Sequence, residues 1–240
     1  MEERKFKIFA DFDGTISIKD VGEEIFRNFA DENKVNMVIS DLLNDKITSK
    51  DCWLALCSYA SPVNKTLLDE FIIRQEIENT FPDFVRFCNQ NEFELFILSD
   101  GFDYYINRII EREGFQELKI FSNSIIVTCS GEIIPEFPFY NENFKSSANC
   151  KRNHIINNSG DDDFTVFIGN GSSDKDAAEY CDFIFAKNDL LKFCEKERIT
   201  YFPFNNFADV IQKLTELKNR KRLKKRHQAE LKRRQAYLME

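Results

Sequence analysis

Two carboxylates stand one residue apart in Asp11-Phe12-Asp13-Gly14-Thr15, directly after the apolar run Lys5–Ala10. At the end of an extended segment, residues two apart turn their side chains to one side. Two negative charges so close repel one another unless a cation sits between them. Mg²⁺ suits that role, because a few carboxylates, waters and a phosphate oxygen satisfy it. Asp and Gly are also turn formers, so a plain turn accounts for the same five residues.

The run KFKIFA that precedes Asp11 ends abruptly, as a buried strand does when it delivers its C-terminal end into a loop. Three further runs behave alike. Glu94–Leu98 leads into Ser99-Asp100-Gly101, Thr165–Ile168 into Gly169-Asn170-Gly171, and Phe183–Phe185 into Ala186-Lys187-Asn188-Asp189. Helical patterns such as Tyr104–Glu113 and Lys175–Tyr180 lie between them. Alternation of strand and helix predicts a Rossmann-like α/β fold, a parallel sheet flanked by helices with right-handed crossovers. Such sheets bind ligands beyond the carboxyl ends of their strands, where all four polar segments gather. Residues 20–79 repeat apolar positions at helical spacing (Val21, Ile25, Phe26, Phe29, then Met37, Val38, Leu42, Leu43) and are too long for a crossover. They read as a helical insertion, with Phe81-Pro82 as its return hinge. Ser130-Gly131 reads as a hairpin turn.

The motifs resemble those of the haloacid dehalogenase superfamily of phosphatases. By that resemblance Asp11 is the nucleophile that forms an aspartyl-phosphate, and Asp13 protonates the leaving alcohol and then activates water. Thr15 would orient the loop. Ser99 matches the hydroxyl residue that holds phosphate, with Asp100 and Gly101 beside it, although Ser also suits a helix N-cap. Lys151, in Cys150-Lys151-Arg152, matches the lysine that neutralises phosphate and nucleophile, with Lys145 as a rival. Gly169-Asn170-Gly171-Ser172-Ser173-Asp174 matches a motif that normally carries Asp where Asn170 stands. The implied metal site is therefore Asp11, Asp13, Asn170 and Asp174, with less charge than usual and weaker Mg²⁺ binding.

The resemblance covers residues 5 to about 212 and implies a catalytic core in 1–19 and 80–215, a helical cap over 20–79 and a basic helical tail over 216–240. It is similar to the phosphoserine-phosphatase-like branch and, within it, to the methionine-salvage methylthiopentenyl phosphate phosphatases. Ser99–Tyr104, Phe185–Leu191 and Ile199–Phe204 carry that narrower likeness. Asp20 stands where phosphoserine phosphatases have a substrate-binding Glu. Glu23, Arg27, Trp53 and Arg74 are other cap residues to which no catalytic role is given. The function implied is Mg²⁺-dependent hydrolysis of a small phosphorylated metabolite. A degenerate, ligand-binding member and a phosphotransferase are the alternatives.

Composition agrees with an enzyme that works through carboxylates. Among 240 residues there are only two histidines, His154 and His227, and seven scattered cysteines without metal-site spacing. No run approaches the roughly 18 apolar residues of a membrane helix, and no signal-peptide pattern opens the chain, so a cytoplasmic protein is expected. The net charge of −8 conceals ten Lys/Arg against two Glu in residues 218–240, which leaves −16 on the remainder. An acidic body repels polyanions; nucleic acid is not an expected partner, although the stretch 218–234 leaves it open.

Overall fold

The computed structural model describes residues 4–239, so the first three residues of the expected core and the last of the expected tail lie outside the described ones. In chain order the elements are β1 (Phe6–Ala10), α1 (Val21–Phe29), α2 (Glu32–Leu43), α3 (Ser49–Ala60), α4 (Lys65–Ile73), α5 (Phe81–Gln90), β2 (Glu94–Phe102), α6 (Asp103–Arg112), β3 (Lys119–Val127) and β4 (Ile133–Glu136). Then follow α7 (Lys151–Asn157), β5 (Phe164–Gly169), α8 (Lys175–Tyr180), β6 (Phe183–Ala186), α9 (Asn188–Lys196), β7 (Phe202–Pro203), α10 (Phe207–Lys218) and α11 (His227–Met239). Contacts divide the chain into two compact units, one of residues 1–11, 77–98 and 151–240, the other of 12–76 and 99–150.

The first unit is built on parallel strands in the order β2-β1-β5-β6-β7. Ile8 pairs with Leu95 on one side and with Val166 on the other, and Val166 pairs in turn with Phe183. Helices cover such a sheet on both faces, which is why its strands read as mainly apolar runs. Ile8, Phe9 and Ala10 are accordingly buried, and Phe9 stacks on Phe96 with ring centroids 5.1 Å apart. Phe81 and Phe84 of α5 close on Phe207 of α10 at 5.1 and 4.9 Å. Pro82 differs from its expected part as a hinge. It lies in the first turn of α5, where the missing N–H costs no helical hydrogen bond.

The second unit holds α1–α4, α6 and the β3–β4 hairpin. Its helices begin where the sequence offers side-chain acceptors: Asp20 accepts from the N–H of Glu23, Asp31 from Lys34 and Asn64 from Leu67. Thr48 and Asp51 form a reciprocal capping box at the start of α3. Trp53 packs between Phe26, at 5.8 Å, and Phe102, at 5.0 Å. The expected turn at Ser130-Gly131 joins β3 to β4, with Gly131 at φ +84°. A Cβ on Gly131 would lie 2.2 Å from the carbonyl oxygen of Val63, so glycine is required there twice over. Ser99-Asp100-Gly101, expected as loop, instead continues β2 to Phe102. Side-chain amides account for this: Asn149 donates to the Ser99 carbonyl and Asn123 to that of Asp100, both at 2.7 Å. Among the described residues no helix is long and apolar enough to cross a membrane.

Candidate active site

In the first unit, Asp11 directly follows β1, and its N–H donates to the carbonyl of Ile168 in β5 at 2.9 Å. Lys151 opens α7, and the loop after β5 carries Asn170 and Asp174 to the start of α8. Lys151 Nζ donates to Asp11 Oδ1 and to Asp174 Oδ1, each at 2.6 Å, and reaches Ser173 Oγ at 3.3 Å. All three charged groups are buried: Lys151 is 1% exposed, Asp11 5% and Asp174 0%. Burial alone would lower the lysine, but the carboxylates of Asp11 and Asp174 outweigh it and hold the ammonium protonated well above its ordinary range. Asp174 is fixed from behind, because its Oδ2 accepts the N–H groups of Asn170 and Gly171, both at 2.9 Å. Gly169 leaves room for that carboxylate; a Cβ there would lie 2.5 Å from Asp174 Oδ2.

This donor set fits a hard divalent cation. Two carboxylates and the Asn170 side-chain carbonyl offer oxygen alone. Among the described residues no group of three or more His, Cys, Asp or Glu side chains forms a metal cage. Mg²⁺ needs none, since it keeps several waters and takes only one or two carboxylates plus phosphate oxygens.

In the second unit, Asp13 is gripped by four donors. Its Oδ1 accepts the N–H groups of Val21, at 2.9 Å, and Gly22, at 3.3 Å, at the N-terminus of α1. Its Oδ2 accepts the hydroxyls of Tyr105, at 2.6 Å, and Ser99, at 3.3 Å. Desolvation by burial raises the Asp13 carboxyl above its ordinary range, and the bonds from Tyr105, Gly22, Val21 and Ser99 only partly offset it. Such a group holds a proton at a pH where an exposed aspartate has lost it. Gly101 donates its N–H to Ser99 Oγ at 3.0 Å and tolerates no side chain. A Cβ on it would lie 1.6 Å from the Tyr105 hydroxyl and 2.7 Å from Asp13 Oδ2.

The side chains of Asp100 and Asp20, both expected in the site, bond within the second unit. The Asp100 carboxylate accepts from Ser49 Oγ, from Ser147 Oγ at 2.6 Å, from the Asn149 N–H at 2.8 Å and from Trp53 Nε1 at 3.4 Å. Asp20 is exposed and caps α1 through the Glu23 N–H at 2.8 Å. Desolvation and then the carboxylates of Asp13, Glu23 and Asp100 raise its carboxyl, and its exposure limits the first of these. Tyr105 escaped the sequence reading. Its place in the first turn of the helix that follows Ser99 was the available signal, since that turn faces whatever the serine faces. His154 is buried and neutral, burial lowering its imidazole to about 4.

No family model matches the chain. Over 219 residues it is 29% identical to a 2-hydroxy-3-keto-5-methylthiopentenyl-1-phosphate phosphatase of Bacillus mycoides (strain KBAB4), with 88% of this chain and 96% of that one covered. It is 27% identical to the Pdp3-interacting factor 1 of Schizosaccharomyces pombe, with 90% and 97% covered. A solved phospho-aspartyl intermediate analogue of phosphoserine phosphatase superposes with a TM-score of 0.68 at 18% identity, covering 89% of this chain and 99% of that one. A substrate-bound phosphoserine phosphatase gives 0.68 at 19% identity, with 89% and 99% covered. At such identities a structural likeness speaks for the fold. The chain therefore has the haloacid dehalogenase fold and is similar in sequence to phosphatases.

Proposed function

We propose that this haloacid-dehalogenase-type phosphatase hydrolyses a small phosphorylated metabolite through an aspartyl-phosphate on Asp11. The observation that carries the reading is the buried Lys151 ammonium shared between Asp11 and Asp174. A buried cation between two carboxylates is costly to assemble and weak as a stabilising device, so a catalytic demand is the better reason for it.

In the first step an Asp11 carboxylate oxygen attacks phosphorus, the phosphorus–oxygen bond to the substrate alcohol breaks, and Asp13 gives that oxygen its proton. Asp13 then takes a proton from water. The water oxygen attacks phosphorus, the bond to Asp11 breaks, and inorganic phosphate leaves. Ser99 Oγ and the N–H groups beside it bind phosphate oxygens, and Lys151 offsets the charge that they share with Asp11. Asp11, Asp13, Asn170 and Asp174 would hold Mg²⁺, which would supply further charge neutralisation. Asn170 lowers the charge of that set without dismantling it, because Asp174 remains fixed by two N–H donors. Residues 20–79 serve as the cap that selects substrate, on a core of 1–19 and 80–215, with Asp20 as the cap carboxylate offered to polar groups of the substrate. Six of the seven cysteines are buried, as apolar packing groups of a protein kept in the reducing cytoplasm.

Phosphate release from a panel of small phosphomonoesters, a methylthiopentenyl phosphate and phosphoserine among them, tests this reading. Mg²⁺-dependent release that Asp11→Asn abolishes is expected. A folded protein that binds Mg²⁺ and releases no phosphate from any of them would favour the ligand-binding alternative, and phosphate passed to an added alcohol would favour transfer.

A further inference from the structure

The basic tail is where the sequence departs most from the acidic body, and the structure gives it fixed partners within the first unit. Three residues of the tail enter α7, β5 and α8, the elements whose ends carry Lys151, Asn170 and Asp174. Arg233 is 6% exposed. Its guanidinium donates to Asp182 Oδ1 at 3.1 Å, to Thr165 Oγ1 in β5 at 2.9 Å and to the carbonyl of Tyr180, the last residue of α8. Arg226 donates to the carbonyls of Ala178 and Glu179, both at 2.6 Å. Tyr237 donates its hydroxyl to the carbonyl of Ile156, near the end of α7, at 2.7 Å and to that of Ser159 just beyond it at 3.0 Å.

The carbonyls at a helix C-terminus lack intrahelical donors, and here the tail supplies them to two short helices at once. Helix α8 has six residues and α7 seven, lengths at which a helix owes its order to packing and not to propensity. The N-terminal turns of both helices hold the Lys151–Asp174 pair. The far ends are tied to α11.

We propose that α11 is a positioning element of the active site, with Arg233 and Tyr237 as positioning residues that hold α7 and α8 in the register at which Lys151 meets Asp11 and Asp174. The proposal rests on the phosphatase reading above. A second consequence is independent of turnover. The N–H groups of Asn170 and Gly171 donate to Asp174, so their hydrogen exchange reports whether that carboxylate is held.

The experiment compares the full chain with Arg233→Gln, Arg233→Lys, Tyr237→Phe and the exposed neighbour Arg234→Ala. For each, thermal melting, kcat and KM on the best phosphomonoester and hydrogen exchange at Asn170 and Gly171 are measured. The expected result for Arg233→Gln, in protein that melts cooperatively, is a kcat lowered about tenfold to a hundredfold with KM little changed. Faster exchange at Asn170 and Gly171 accompanies it. Arg233→Lys recovers part of the loss, Tyr237→Phe gives a smaller loss of the same kind, and Arg234→Ala behaves as the parent chain. Folded Arg233→Gln protein with parental kcat and parental exchange at the two amides overturns the proposal. If the parent chain releases no phosphate the phosphatase reading fails first, and the exchange measurement still decides whether α11 holds the loop.

Discussion

Lys151→Met removes the cation from between Asp11 and Asp174 and keeps nearly the same apolar stem, so the change isolates charge from packing. In the parent chain the ammonium lies 2.6 Å from each carboxylate, and the three side chains are 1%, 7% and 0% exposed. Without it two buried carboxylates share one space. Removing one partner of a buried pair costs about 3–5 kcal/mol, because the charge left behind is uncompensated. Against a total stability of about 5–15 kcal/mol that is a large fraction. For a domain of this size the melting temperature should fall by roughly 6–20 °C.

The sign with pH follows from the same charges. An uncompensated buried carboxylate is held protonated to higher pH in the folded state than its unfolded value of about 3.9, so stability is retained in acid and lost as pH rises. The parental Lys151, raised above its ordinary value, keeps its contribution throughout that range and loses it only in strong alkali. The gap between variant and parent should therefore be wider at about pH 8 than at about pH 5. Melting curves at both values measure it. The double variant Lys151→Met, Asp11→Asn should melt above the single Lys151→Met variant, since one stranded charge is gone. Equal melting temperatures for parent and Lys151→Met at both pH values would show that the Lys151 ammonium does not offset the two carboxylates.

Gly101→Ala should lower kcat/KM by about a hundredfold or more, because the added methyl displaces the Tyr105 hydroxyl and the Asp13 carboxylate; phosphate release measures it, and parental activity would contradict the packing. Asp13→Asn should abolish turnover while stabilising the fold. The raised carboxyl of Asp13 is a cost absent in acid, which begins above its unfolded value of 3.8 and is complete above its folded one, so the gain should grow with pH in denaturant titrations. Asn170→Asp should tighten Mg²⁺ binding by restoring a carboxylate to the loop, as read by calorimetric titration of the metal alone.

The order of strands and helices was readable because the parallel strands Phe6–Ala10, Phe164–Gly169 and Phe183–Ala186 are covered on both faces and thus apolar apart from Lys7 and Thr165. Lys151 and Asp174 could be placed in one site only through family likeness, since nothing in spacing alone brings residues 23 positions apart onto Asp11. Asp100 was expected beside phosphate as the neighbour of Ser99; its carboxylate is held by Ser49, Ser147 and Asn149, donors so distant in sequence that no local pattern announces them. Tyr105 was missed for a related reason. A buried tyrosine on an amphipathic helix reads as core, and only its hydroxyl against Asp13 marks it as more. The tail reads as basic and helical because ten cations dominate it, and within that helix Ala229, Arg233 and Ala236 form a buried stripe along one side. Charge hid a small-residue periodicity.

In the proposed mechanism Asp11 carries the phosphoryl group between substrate and water. Acid quenching of a single turnover with Mg²⁺, followed by mass spectrometry of the peptide that spans Asp11, detects that adduct. The expected result is that peptide heavier by one phosphoryl group, bound at Asp11, and absent from Asp11→Asn. Phosphate release with no such adduct at any quench time, or an adduct that survives in Asp11→Asn, would contradict it.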